Sequence, residues 1–167
     1  MVTAVEIIRQ RLGDSDGELY TDDEITAMLA SAVAAYSAAR PIKRRWMKPS
    51  GITEITLPED YREWITGLDD CLILENTLYC TPWAREVIYY ANRTVDEIPA
   101  GDLPLLADYC FCMALESAVS DSGDISSLKL GKGLQLSFDN ITEVRKLASD
   151  IKQQVMSRLN SIIGVWC

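Results

Sequence analysis

The sequence predicts a mainly α fold: a small helical bundle with an inserted antiparallel β-hairpin or sheet region and a long C-terminal helix. Three observations carry this prediction. Apolar residues recur at helical spacing near both ends, short β-branched runs occupy the middle, and capping residues stand where the periodic stretches begin. A chain of 167 residues, 48% apolar and 25% charged, suits one globular domain with a real core.

Residues 2–12 form the first predicted helix, with Val5, Ile8 and Leu12 on one face and Gly13 as its stop. Asp14 to Glu24 holds six acids and no base. Within it, Thr21 and Glu24 have the spacing of a capping box, in which each side chain takes the other residue's backbone N–H. Asp22 and Asp23 suit the positive end of the helix dipole. Ile25, Met28, Leu29, Ala32, Val33 and Tyr36 then trace an unbroken stripe, and Pro41 ends that helix near Arg40.

From Pro49 to Arg93 the period changes. Residues 52–57 read as a strand ending at Pro58. Cys71–Leu74 and Leu78–Cys80 flank a hairpin tip at Glu75-Asn76-Thr77, and Glu86–Ala91 is a further strand. These make a strand-rich insertion of about residues 51–93; the alternative is a helix over Glu59–Leu68 and a smaller sheet. Asp102 caps a third helix with Pro104 in its first turn. Its interior (Leu105, Tyr109, Cys112, Met113 and Glu116, with Ala107, Ala114 and Ala118) is apolar on most sides, as in a central helix. Residues 125–139, with Gly131 and Gly133, read as an extended arm or loose hairpin. Asn140 and Glu143 cap the last helix, whose stripe is Val144, Leu147, Ala148, Ile151, Val155, Leu159 and Ile162, with Gly164 as its stop.

Composition excludes several chemistries. The chain has no histidine, which removes Ser-His-Asp triads, Cys-His pairs, HExxH zinc helices and haem-ligating His. Sixteen basic residues against 25 acidic ones give a net charge of −9, which disfavours clamping of a nucleic-acid backbone. The five cysteines (Cys71, Cys80, Cys110, Cys112, Cys167) show no CxxC spacing and read as reduced, mostly buried thiols. No signal peptide and no membrane span are expected.

Four constellations invite functional readings. Asp14-Ser-Asp-Gly17 resembles part of a calcium loop. Aligning its glycine puts Leu12 at the first ligand position and Asp23 at the last, so an acidic interhelical loop is the better reading. Gly131-Lys-Gly133 lacks the spacing of a phosphate loop. The adjacent acids Glu59-Asp60 and Asp69-Asp70 give no reason to assign proton transfer. The fourth is the segment Arg40-Pro-Ile-Lys43-Arg44-Arg45-Trp46-Met47-Lys48, which concentrates five of the 16 basic residues and leaves −14 elsewhere. It reads as a solvated loop with Trp46 and Met47 at the edge of the core, or as a binding loop for an acidic protein surface or nucleic acid. At the C-terminus, Val165-Trp166-Cys167 either folds back on its own helix or inserts into a neighbour.

The order of these features resembles the head–tail adaptor (connector) proteins of tailed bacteriophages. The resemblance rests on Tyr20-Thr-Asp-Asp-Glu-Ile leading a stripe helix to Ala39-Arg40-Pro41, and on Asp96-Glu-Ile-Pro99 leading into Leu105-Leu-Ala-Asp-Tyr109. It also rests on residues 125–139 running into a final helix. The family resemblance implies a virion protein assembled in the host cytoplasm, without catalytic residues, cofactor, metal or membrane contact. In that family, copies commonly form a dodecameric ring beneath the portal protein. The ring extends the DNA channel and presents a surface to the next tail or stopper protein. DNA passes through without specific recognition, and an acidic lumen would repel it. On this resemblance, Arg40, Lys43, Arg44, Arg45, Trp46, Lys48, Lys129, Lys132, Val165, Trp166 and Cys167 are the expected partner-interface residues. The competing readings are a small nucleic-acid-binding or regulatory protein using residues 40–48, and an enzyme built on Asp, Glu, Lys, Tyr and Cys.

Overall fold

Thr3 starts the first helix. Its hydroxyl accepts from the Glu6 N–H, and the Glu6 carboxylate accepts from the Thr3 N–H at 2.6 Å, which opens α1 (Ala4–Leu12). Gly13 closes it with φ 70°, a left-handed conformation that glycine adopts without steric cost. Thr21 and Glu24 make the predicted reciprocal cap at the head of α2 (Asp22–Ala39). After two single 3₁₀ turns, at Val95–Glu97 and Ala100–Asp102, comes α3 (Leu103–Asp121), and α4 (Ile141–Asn160) is the longest helix among the described residues. The computed structural model describes residues 3–67, 70–121, 127–130, 134–137 and 141–160.

These helices belong to one of two units, formed by the chain up to Ala39 and from Thr94 onward. The α3 helix is central, packing against α1, α2 and α4 as its apolar circumference requires. Leu106, Cys110, Phe111 and Leu115 from α3 share one buried cluster with Ile8 and Leu12, with Ile25 and Tyr36, and with Val144, Val155 and Leu159. Each large side chain removed from water in this way contributes about 1.5–3 kcal/mol before entropy is counted. The buried Tyr36 hydroxyl donates to Asp102 Oδ2 at 2.6 Å, satisfying the polar tip of a core residue at the start of α3.

The second unit, Arg40–Arg93, is all β. Its strands are β1 (Ile42–Lys48), β2 (Glu54–Thr56), β3 (Tyr61–Thr66), β4 (Leu72–Leu74), β5 (Thr77–Tyr79) and β6 (Arg85–Ala91). They form two three-stranded antiparallel sheets, ordered β1-β6-β3 and β2-β5-β4. Leu57, Leu78 and Val87 make a small buried core, flanked by Trp46, Ile55, Tyr61, Cys71, Ile73 and Cys80. The hairpin tip between β4 and β5 is the pair Glu75-Asn76, with Glu75 at φ 53°; Thr77 belongs to β5. Gly67 leaves β3 with φ 92°, where any Cβ would meet the Glu86 carbonyl oxygen.

The prediction of a mainly α chain is therefore overturned: the fold is mixed α/β, with four α-helices and two three-stranded sheets among the described residues. The basic segment read as a loop is strand β1. Its inward positions alternate with outward ones, but Arg44 and Lys48 occupy two of them, which hid the period of two. Residues 61–66, for which a helix was the alternative, are strand β3; register shifts after Tyr61 and after Trp64 break its alternation. The arm at 125–139 contains a two-stranded hairpin, β7 (Ser127–Leu130) with β8 (Leu134–Ser137). Leu68, Asp69, Gly131, Lys132, Gly133, Asn140, Ile162, Gly164, Val165, Trp166 and Cys167 lie outside the described residues.

Candidate functional site

The basic segment does not form one positive surface. On β1, Arg44, Trp46 and Lys48 alternate with the exposed Lys43, Arg45 and Met47. Lys48 is 1% exposed, and its ammonium donates to the carbonyls of Trp83 (2.8 Å) and Pro49 (3.1 Å). Arg44 Nε lies 2.7 Å from Asp60 Oδ2, and the Tyr89 hydroxyl donates to the same carboxylate. Half-buried Trp46 packs into the core of the β unit. The outward cations are also matched: Arg45 lies 3.3 Å from Glu86, and the Lys43 ammonium sits 5.9 Å from the centroid of the Tyr90 ring. The Arg40 carbonyl accepts from Arg93 Nε at 2.7 Å. Of the other expected interface residues, Lys129 is placed on β7 only as a strand position.

Charge separates along the same division as the fold. The Arg40–Arg93 unit holds eight basic and eight acidic residues, so the +5 segment is neutralised within its own unit. The remaining chain keeps eight basic and seventeen acidic residues and carries the whole net charge of −9.

The neutral unit is also the more apolar at its surface. Among the described residues, seven of the nine large hydrophobic side chains left exposed belong to it: Met47, Ile52, Trp64, Leu72, Leu74, Tyr79 and Trp83. Three of them stand on one face. In the β2-β5-β4 sheet, Ile55, Leu78 and Ile73 pair across the strands and point into the core. The pleat then turns Leu72, Leu74 and Tyr79 to the opposite face, where they are 56%, 53% and 39% exposed. Leu72 stands directly across from Tyr79 on the edge strand β4, and Glu54, Thr56 and Thr77 make the rest of this face polar. An apolar edge of this kind is the feature that natural sheets ordinarily cover or charge. Sequence reasoning missed it, although Cys71-Leu-Ile-Leu74, apolar at four successive positions, carries the signal of a strand with two faces to cover.

The acidic groups that invited chemical readings have structural partners. Asp14 is 3% exposed; it accepts from the N–H groups of Leu19 (2.9 Å) and Tyr20 (3.1 Å) and lies 2.7 Å from Arg9 Nη1. It closes the interhelical loop, as the acidic-loop reading expects. Arg85 grips Asp70 through both terminal nitrogens and also donates to Thr81 Oγ1, and its guanidinium holds the Asp70 carboxyl far below the usual carboxylate range. Burial pushes the thiols of Cys110 and Cys112 up to about 12 and about 11, so both stay protonated at neutral pH. Among the described residues no group of three or more Cys, Asp and Glu side chains could hold a metal ion. No helix among them is long and apolar enough to cross a membrane. An open cleft of about 360 Å³ beside α3 and α4 is lined by Glu116, Val119, Arg145, Ala148, Ser149 and Lys152, and the Lys152–Glu116 ion pair of 2.9 Å occupies its wall. No protein-family model matches the chain, and no curated protein matches it.

Proposed function

We propose that this chain is a non-enzymatic structural protein of a tailed-phage virion, a head–tail adaptor. Copies would form a ring under the portal, extend the DNA channel and join head to tail. The observation that carries the reading is the exposed apolar face of Leu72, Leu74 and Tyr79 on a neutral β unit. A surface of this composition suits contact with protein, and in a ring it suits the neighbouring subunit. The order of helices, strands and hairpin supports the reading through the resemblance. So does the acidity of the helical unit, since a wall carrying the whole charge of −9 would keep a phosphate backbone from adhering. The nucleic-acid reading loses its main feature, because Arg44, Arg45 and Lys48 are matched within their own unit.

Adding the purified chain to portal rings tests the proposal. Light scattering and negative-stain imaging should show a second tier on the portal. The double substitution Leu72→Lys with Leu74→Lys, at exposed positions, should leave the circular dichroism unchanged and abolish the tier. A chain that never adds to portal would refute the adaptor reading. Undiminished incorporation of the variant would refute the role of this face.

A further inference from the structure

The cysteine pair at the open end of the β4–β5 hairpin is placed for a reaction that the adaptor reading does not use. Leu72 pairs with Tyr79 across the two strands, so the next opposed pair outward is Cys71 with Cys80. Two observations fix what kind of pair this is. The Cys80 N–H donates to the Thr53 carbonyl at 2.9 Å, on the β2 side, so Cys80 turns its backbone hydrogen-bonding groups away from β4. Independently, the two-residue tip makes Leu74 with Thr77 the hydrogen-bonded closing pair. Alternation from there makes 73 with 78 non-bonded, 72 with 79 bonded, and 71 with 80 non-bonded.

Non-hydrogen-bonded pairs bring opposed Cα atoms to about 4.5 Å. That lies within the span of roughly 4.4–6.8 Å that a disulfide needs. Both side chains lean to the same face, packed beside Leu57, Leu78 and Val87. The groups around Cys71 are polar. Its Sγ accepts from Arg85 Nη1 at 3.6 Å and lies 3.8 Å from Asp70 Oδ1. Burial pushes the Cys71 thiol up to about 11, with the Arg85 guanidinium opposing that rise, so attack proceeds through a small thiolate fraction and is slow near neutral pH. Both cysteines are half-buried, unlike Cys110 and Cys112 in the core of the helical unit.

We propose that Cys71 and Cys80 form a redox-responsive cross-strand disulfide, closed by thiol–disulfide exchange with a small disulfide such as oxidised glutathione. One protein thiolate attacks the reagent's S–S bond, forming a mixed disulfide and releasing one glutathione thiolate. The second protein thiolate then displaces the other glutathione. The two protons lost by Cys71 and Cys80 end on the two departing thiolates, so two glutathione thiols leave for each protein disulfide formed. Excess reduced glutathione reverses the sequence. The bond would tie β4, the edge strand carrying Leu72 and Leu74, to β5.

The sequence supplies a direct readout. No Lys or Arg lies between Arg62 and Arg85, so trypsin releases residues 63–85 as one peptide holding both cysteines. The native full-length chain is equilibrated in glutathione buffers of rising oxidised fraction, alkylated, digested without reduction and weighed. The expected product is that peptide with no alkyl group and two hydrogens missing. Half-conversion should come at a glutathione poise about tenfold or more less oxidising than for the same chain in concentrated urea, because the fold holds the thiols together. Equal poise for folded and unfolded chain would overturn the proposal. So would a folded peptide carrying two alkyl groups or two glutathione adducts, or a bond from either cysteine to Cys110, Cys112 or Cys167. Cys71→Ser, with Cys80 retained, should yield at most a single glutathione adduct; an internal mass loss there would equally overturn it.

Discussion

Asp14 should be the most sensitive acidic position in the helical unit, and its replacement by alanine tests how the loop between α1 and α2 is held. The carboxylate is buried at 3% exposure and has three partners: the N–H groups of Leu19 and Tyr20, and Arg9. Removing it leaves two backbone donors without their acceptor, at about 1 kcal/mol or more each. It also removes the buried one of two counter-charges from a guanidinium that is 13% exposed. Breaking a buried pair costs about 3–5 kcal/mol when the survivor has no other partner. Arg9 retains the Tyr20 carbonyl at 3.2 Å and Asp22, itself 90% exposed, so its share falls well below that range. The expected total for Asp14→Ala is about 3–4 kcal/mol, a large part of a typical domain's stability. Asp14→Asn keeps one oxygen, enough for the Leu19 N–H, but sets its NH2 against the Tyr20 N–H and the Arg9 guanidinium, so a loss close to that of alanine is expected. Urea unfolding followed by circular dichroism at a helix wavelength reads both, since all four α-helices lie in this unit. Added calcium should leave the wild-type midpoint where it is. Losses below about 1 kcal/mol for both variants, or a calcium-dependent rise, would refute the account of Asp14 as a structural anchor.

Three further outcomes can be checked on the same material. Gly67→Ala should destabilise the β unit by about 3 kcal/mol or more, because it combines a φ of 92° with a collision against the Glu86 carbonyl; tryptophan fluorescence follows it through Trp46, Trp64 and Trp83. Arg85 depresses the folded-state pKa of Asp70, so their pairing stabilises fully above the unfolded value of about 3.9 and is lost as pH falls below it; Asp70→Asn should flatten that acid limb of the fluorescence-monitored midpoint, and an unchanged slope would rule the pair out. Cys110 and Cys112 should resist alkylation in the native state near neutral pH and react once the chain is unfolded, as peptide masses will show; rapid native labelling of either would contradict their burial.

The helices were legible because their signals are local. Thr21 and Glu24 are three residues apart, and each finds the other without help from the rest of the chain. The same spacing at Thr3 and Glu6 carries the same bonds, and could have been read in the same way. The α2 stripe from Ile25 to Tyr36 meets the core as its period requires. The β unit depends instead on which distant strand each segment meets. Nothing within residues 61–66 announces the two register shifts by which they pair with β6. Leu72 and Leu74 become an exposed face only because Ile73 pairs with Leu78 and claims the inner one.

The basic segment shows why a charge count alone misjudges a surface. Read linearly, residues 40–48 are a +5 block, and a block of that sign suggests an acidic partner. Folded as β1, the block is divided by the pleat, and its cations meet groups contributed from well outside it. Arg44 reaches Asp60, Arg45 reaches Glu86, and Lys48 reaches the Trp83 carbonyl, with a long aliphatic stem in the interior. These partners come from the segment before β3, from β6 and from the turn before it, so the neutralisation exists only after the sheets form. The consequence for function is a change in the kind of force. With eight charges of each sign, the β unit cannot attract a partner by net charge over distance, and its exposed Leu72, Leu74 and Tyr79 act only at contact. Long-range repulsion belongs to the acidic helical unit, so on the proposed adaptor reading the charge that would keep DNA free and the face that would hold a neighbouring protein fall on different units of one chain.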